Sequence, residues 1–227
     1  METLSAEIEV CGENLTLLPG KLIWWAARRT LFVADTHFGK AATFRQAGIP
    51  VPVGTTNAML RQLTQAIRAY HAGRLVILGD FVHSSTRCVN GFEAELIAWR
   101  ETLRNLEIML ILGNHDRGHD KLFQAMDLKV VDEPYFEEPF AFCHNHNANQ
   151  EDSFYALAGH VHPAIRLNTG RFDGKTACFL FSDDYALLPA FGEFTGTATV
   201  RSQNNDRVFV VSDAEVCDVT NLVACKR

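Results

Sequence analysis

Seven residues of this chain could hold metal ions: Asp35, His37, Asp80, Asn114, His144, His160 and His162. Each stands just past a short apolar run. Residues 31–34 lead into Asp35 and His37, residues 75–79 into Asp80, and residues 108–113 into Asn114 and His115. Residues 140–143 lead into His144, and residues 155–159 into His160 and His162. Carboxylates, one amide oxygen and several imidazoles suit manganese, iron or zinc better than magnesium, which prefers oxygen donors and water. Seven donors are too many for one ion with an open position and match two ions sharing a carboxylate. Asp80, central in the order, is the natural bridge. Two ions about 3.5–4 Å apart hold a bridging hydroxide and clamp the oxygens of a phosphoryl group during in-line displacement. Their charge lowers the pKa of bound water, giving a nucleophile near neutral pH.

Such donors need strands to position them. Short apolar runs bounded by turns read as buried strands, and open α/β sheets carry their chemistry at strand carboxyl ends. Residues 15–18 and 22–25 flank Pro19-Gly20-Lys21, a hairpin signal. Ala58, Leu60, Leu63, Ile67 and Tyr70 recur at helical spacing between residues 53 and 70, as do Leu96, Ile97, Trp99 and Leu103 between 92 and 106. A shorter helix is expected over 121–126. Beyond Leu128 the texture turns to short strands, expected over 129–131, 140–143, 155–158, 165–168, 177–181, 198–201 and 208–211. Asn204-Asn205-Asp206 reads as a hairpin turn joining the last two. The expectation is one α/β domain over residues 1–227, two sheets packed face to face with helices outside.

Bulk properties narrow the class. A chain of 227 residues with 47% hydrophobic content can bury a large core. No apolar stretch is long enough to span a bilayer and no basic-then-apolar leader opens the chain, so a cytoplasmic protein is expected. Cys11, Cys88, Cys143, Cys178, Cys217 and Cys225 form no CxxC pair, which argues against a zinc ribbon and fits reduced thiols. The net charge of −6 gives no support to a general nucleic-acid-binding surface, though it leaves room for a local basic rim.

The blocks Asp35-Thr36-His37, Gly79-Asp80, Gly113-Asn114-His115-Asp116, His144 and Gly159-His160-Val161-His162 resemble the calcineurin-like metallophosphoesterase pattern, in order and spacing. That resemblance implies a four-layer α/β/β/α sandwich with a dinuclear centre. It places Asp35, His37, Asp80 and His162 on one ion, and Asp80, Asn114, His144 and His160 on the other. His115 would contact the substrate phosphate or protonate the leaving oxygen, with Asp116 orienting it. Residues 38–45, 48–52, 160–164 and 188–196 further resemble the bacterial ligase-associated DNA damage response endonuclease family (PdeM). This narrower resemblance implies a manganese-dependent nuclease acting on DNA in a repair context, in functional association with a DNA ligase and a helicase. A homo-oligomer is compatible with it. A phosphatase or a small-molecule phosphodiesterase acting on cyclic or dinucleotide substrates is the alternative. A non-catalytic scaffold is a further one, which retention of all seven donors plus His115 opposes.

Other residues carry weaker signals. His146 rivals His144 as the donor after residues 140–143, although His144 follows the apolar run directly. His83 reads equally as a cleft residue or a solvated loop residue; His71 and His119 read as surface residues. Gly39-Lys40 lacks the rest of a P-loop. Lys40, Arg45, Arg117 and Arg166 are possible phosphate contacts, each more often structural. Trp24, Trp25 and Trp99 read as packing, and residues 191–196 as a structural turn.

Overall fold

The computed structural model of the protein describes residues 4–83, 91–168, 170 and 173–223; Cys88 and Cys225 fall outside them. Seven strands form the first sheet, in chain order: β1 (Ala6–Val10), β2 (Glu13–Leu18), β3 (Leu22–Trp25), β4 (Thr30–Val33), β5 (Arg74–Leu78), β6 (Glu107–Ile111) and β7 (Lys129–Val131). The first four are antiparallel neighbours, and β4 to β7 run parallel. Parallel strands need crossovers, which α1 (Lys40–Gln46), α2 (Thr55–Ala69), α3 (Phe92–Glu101) and α4 (Asp120–Ala125) supply. The second sheet holds β8 (Tyr135–Glu137), β9 (Phe140–Cys143), β10 (Tyr155–Ala158), β11 (Pro163–Asn168), β12 (Asp173–Phe181), β13 (Tyr185–Leu187), β14 (Ala198–Thr199), β15 (Arg207–Val211) and β16 (Val216–Asp218). Its order is β14-β11-β12-β13-β10-β9-β8, with β15 on β12 and β16 on β15.

Alternation along the strands sorts side chains into three apolar layers. Leu31, Val33, Leu75 and Ile77 face Leu60, Leu63 and Leu96 of the helices. Phe32, Val76 and Met109 point the other way and meet Phe140, Phe142, Phe179 and Phe209 between the sheets. The outer face of the second sheet carries Ala156, Ile165, Leu180 and Val208 under Val219 and Val223. The architecture is an α/β sandwich in the expected layer order. Its last layer is thin: among the described residues it comprises α5 (Thr220–Val223) and a single 3-10 turn, His146–Ala148.

One strand pairing differs from expectation. A turn does fall at Asn204 and Asn205, but it joins no hairpin. β14 lies beside β11, while β15 pairs with β12 and β16. Val208 and Phe209 are both fully buried and reach opposite faces of the sheet, so burial, not the turn, chose the neighbours of β15. Trp25 and Trp99 are packing residues as expected, their indole N–H groups donating to Glu13 and Thr64. Among the described residues no helix is long and apolar enough to cross a membrane.

Candidate metal centre

Parallel β4, β5 and β6 end at one edge, and parallel β9 and β10 of the other sheet end against it. The backbone stitches these ends together. Asp35 N donates to Gly79 O at 3.2 Å, His37 N to Asp80 O at 2.9 Å, and Gly159 N to His144 O at 3.1 Å. The two sheets join where His160 N donates to Asp35 Oδ2 at 2.8 Å. Leaving a strand this abruptly requires unusual backbone. Asp35 (φ 52°), His37 (45°), Asp80 (49°), His160 (65°) and His162 (51°) all sit in the left-handed region. Asp and His are among the residues that tolerate it. Each still stores about 1–3 kcal/mol of strain, and such strain concentrates at functional sites. Glycine precedes three of the donors because other donors press on those positions. A Cβ on Gly79 would fall on the His144 ring, one on Gly113 on Asp80, and one on Gly159 on the Asp35 carboxylate.

All seven donors come together, in two groups. In the first, His162 Nε2 lies 3.4 Å from both Asp35 Oδ1 and His37 Nε2. In the second, His144 Nε2 lies 2.9 Å from Asn114 Oδ1 and 3.0 Å from His160 Nδ1. Asp80 Oδ2 stands between the groups, 3.9 Å from His37 Nε2 and 3.7 Å from His144 Nε2. Asp35 Oδ1 also comes within 3.8 Å of His144 Nδ1. That nitrogen, however, is turned to the Leu78 carbonyl at 3.2 Å, which can only accept, so the lone pair of His144 is on Nε2. The donors fit divalent ions. Two nitrogens about 2.1 Å from a common ion lie roughly 3.0–3.4 Å apart, the spacing of both histidine pairs. Asp35 Oδ1 and His37 Nδ1 are moreover buried without hydrogen-bond partners, a cost that cation binding at the carboxylate offsets. His146 belongs to neither group; its ring lies 4.4 Å from Tyr185. A cleft of about 530 Å³, lined by Asn114, Arg117, Glu133, His144 and His160, opens the second group to solvent.

The supporting shell is where the sequence was least informative. Glu133 Oε2 accepts from the backbone N–H of both His144 and Asn145, each at 2.7 Å. No donor-like pattern marks Glu133, because its partners are backbone groups. His162 Nδ1 donates to Gly196 O at 2.9 Å, and the strap holding Gly196 is itself anchored by Gly192 N on Asp35 O at 3.0 Å. Residues 191–196 are therefore part of the site's frame, beyond the turn expected of them. Asp116, expected to orient His115, has its oxygens on Gly113 N (2.9 Å) and Val82 N (3.2 Å), tying the Asn114 loop to the Asp80 loop. His115 is fixed differently: its N–H donates to Asp80 Oδ1 at 2.9 Å, and its Nε2 lies 3.8 Å from Asp80 Oδ2. His83 lies beside the first group, its ring 5.6 Å from His115 and 6.0 Å from His37. His119 is no surface residue. It is buried beside Phe123 at the start of α4, whereas His71 is exposed as expected. Arg45 donates to Pro52 O and Arg166 pairs with Asp173 at 2.9 Å.

Burial favours neutral imidazoles at His37 and His83. Burial, with Lys40 and the histidines around it, lowers the His37 pKa to about 2. Burial, Lys40 and His115 lower His83 to about 4. Burial also opposes charging His162, but the Asp35 carboxylate and the Gly196 carbonyl outweigh it and raise that pKa. Burial pushes Asp116 up to about 6 against its two backbone hydrogen bonds.

A two-sheet α/β sandwich with this donor set at its strand ends defines a metallophosphoesterase. Residues 28–191 match the calcineurin-like phosphoesterase family, and the chain belongs to that family and is a metal-dependent phosphoesterase. The chain is similar to Pseudomonas putida nuclease MPE, known as a crystal structure. Identity is 37% and the TM-score 0.81, over 94% of this chain and 99% of that one. It also aligns with Yfce, a phosphoesterase from E. coli, at 14% identity and a TM-score of 0.45, over 82% of this chain and 95% of that one. Comparison with curated proteins gives no match.

Proposed function

We propose that the protein is a dinuclear metal-dependent phosphodiesterase that cleaves nucleic acid, DNA in a repair context, with manganese as its metal. The observation that carries the two-ion reading is the place of Asp80 Oδ2, between a His37–His162 pair and a His144–His160 pair. On this reading Asp35, His37, Asp80 and His162 hold one ion, and Asp80, Asn114, His144 and His160 the other. Two divalent ions held there supply a water of lowered pKa and neutralise charge on the phosphoryl oxygens. The protein's own residues do the rest. The buried carboxylates and the imidazoles fix the geometry, and Asp116 holds the two loops in register. His115, beside Asp80 and partly exposed, donates to the phosphate or to the leaving oxygen. The nuclease reading is supported by the similarity to the Pseudomonas putida nuclease. Operation alongside a DNA ligase and a helicase in the cytoplasm, within one domain spanning the chain, belongs to the same reading.

The test is a cleavage panel run with manganese-loaded protein: single-stranded DNA, RNA, a cyclic dinucleotide and an aryl phosphate monoester. Cleavage of the DNA polymer is expected. Turnover confined to the cyclic dinucleotide or the monoester would replace the nuclease reading with a small-molecule phosphodiesterase or a phosphatase.

A further inference from the structure

Four residues past His162, strand β11 carries Arg166, and its register sets that residue opposite Lys175 on β12. Directly opposed residues of an antiparallel pair share a face. On the other side of β11, β14 pairs Ala164 with Thr199 in parallel, and Val200 N continues the ladder onto Ala164 O. β14 ends at Thr199, and its register carried two residues further sets Arg201 level with Arg166. The alternation is anchored by packing: Ile165, Leu167 and Val200 turn to the outer core. Arg166, Lys175 and Arg201 therefore point to the opposite face. All three are exposed. They form a cationic row across two neighbouring strands and the segment that follows β14, in a chain whose net charge is −6. Asp173 offsets it in part through its pair with Arg166.

The face bearing this row is open. Between the two sheets the core takes Phe179 and Phe181 from β12, and among the described residues it takes none from β11 or β14. This edge overhangs the sandwich. It also adjoins the metal centre: Lys175 Nζ donates to Thr197 O, next to the Gly196 carbonyl that holds His162. At about 3.3 Å per strand residue, Arg166 lies roughly 13 Å from His162. That is beyond the reach of a mononucleotide ester bound at the ions and within reach of a neighbouring phosphate of a polymer.

We infer that the Lys175–Arg166–Arg201 row is a track for the phosphate backbone of a polynucleotide, guiding the strand on one side of the scissile phosphate. The inference rests on the nuclease reading given above. Spaced cations on one side of a cleavage site recognise a polyanion by charge and carry no base information.

The test uses full-length manganese-loaded protein, Arg201→Gln and the double variant Arg166→Gln/Arg201→Gln. Lys175 is spared because it also holds the strap. The probes are an oligonucleotide of about twenty residues and bis(p-nitrophenyl) phosphate. For the double variant, KM on the oligonucleotide is expected to rise at least tenfold more than KM on the aryl diester. The log–log salt dependence of kcat/KM should flatten by about 0.7 per cation removed. Equal effects on both substrates, or an unchanged salt slope, would overturn the track while leaving the nuclease reading in place. Wild-type protein that hydrolyses the aryl diester but no oligonucleotide would overturn the nuclease reading, and the track with it. Circular dichroism melting checks that the variants fold.

Discussion

The carboxylate of Glu133 lies 2.7 Å from the backbone nitrogen of His144 and accepts a hydrogen bond from it. A second bond from Asn145, also 2.7 Å, converges on the same oxygen, Oε2. Charge-assisted bonds of this kind are roughly twice as strong as neutral ones. The consequence reaches the metal centre, since His144 Nε2 is the atom facing Asn114 and His160. Glu133→Ala is expected to weaken binding of the second ion by 10–100-fold, the usual range for a lost outer partner. Glu133→Gln, which keeps an accepting oxygen, should recover part of the loss. Isothermal titration with manganese would measure it, and unchanged affinity in Glu133→Ala would show the clamp to be dispensable.

The strap over residues 191–196 gives a second expectation. Gly192 has no room for a side chain, because a Cβ would lie 2.6 Å from Thr36 O and 3.0 Å from Asp35 O. Gly192→Ala should push the strap off β4 and lower stability by about 1–3 kcal/mol, the usual cost of overpacking. It should also loosen the Gly196 carbonyl from His162, so that activity at saturating metal falls with the melting temperature. An unaltered Tm would mean the strap does not bear on the site.

Acid should destabilise the metal-free protein through His37. Burial holds its pKa at about 2, against 6.5 for an ordinary histidine. The unfolded chain therefore takes up a proton near pH 6.5 that the folded protein refuses. The stabilising contribution is complete above that pH and is lost as the pH falls towards the folded value. Asp116, raised to about 6, acts in the opposite sense, so the comparison must isolate His37. Between pH 7 and pH 5, Tm should fall more for metal-free wild type than for His37→Asn. Equal falls would contradict a neutral buried His37.

Removing His115 should separate chemistry from metal binding. Its backbone N–H, which holds Asp80, survives in His115→Ala, so metal content should stay at the wild-type level. Loss of the ring should slow oligonucleotide cleavage by about 10²–10⁴-fold, as for a general acid. The loss should be smaller for an aryl phosphodiester, whose leaving group needs little protonation. Equal losses on both would exclude proton donation and leave phosphate contact as its role; lost metal would make His115 a ligand.

How much of this was legible in the sequence follows from where the information lies. The strands ending at Asp35, Asp80, Asn114 and His144 could be read because a buried apolar run and a polar terminus are local signals. The α2 helix was readable for the same reason, its apolar face recurring at Leu60, Leu63 and Ile67. The three-residue strand β13 is too short to show a period. The partners of β15 are set by burial at long range, where an Asn-Asn-Asp turn suggests only a neighbour in sequence. Glu133 and Gly196 act through backbone groups, and such contacts leave no mark on the spacing of functional side chains. His119 sits among Arg117, Asp120 and Lys121, which hid its burial.

The two-ion centre is tested most directly by titrating metal-stripped protein with manganese while following cleavage of a labelled oligonucleotide. No cleavage is expected without metal, and activity should rise to a plateau at two equivalents per chain. Asp80→Asn, which removes the charge shared by both groups, should need far more metal to reach any activity. A plateau at one equivalent, or cleavage by the stripped protein, would contradict the account.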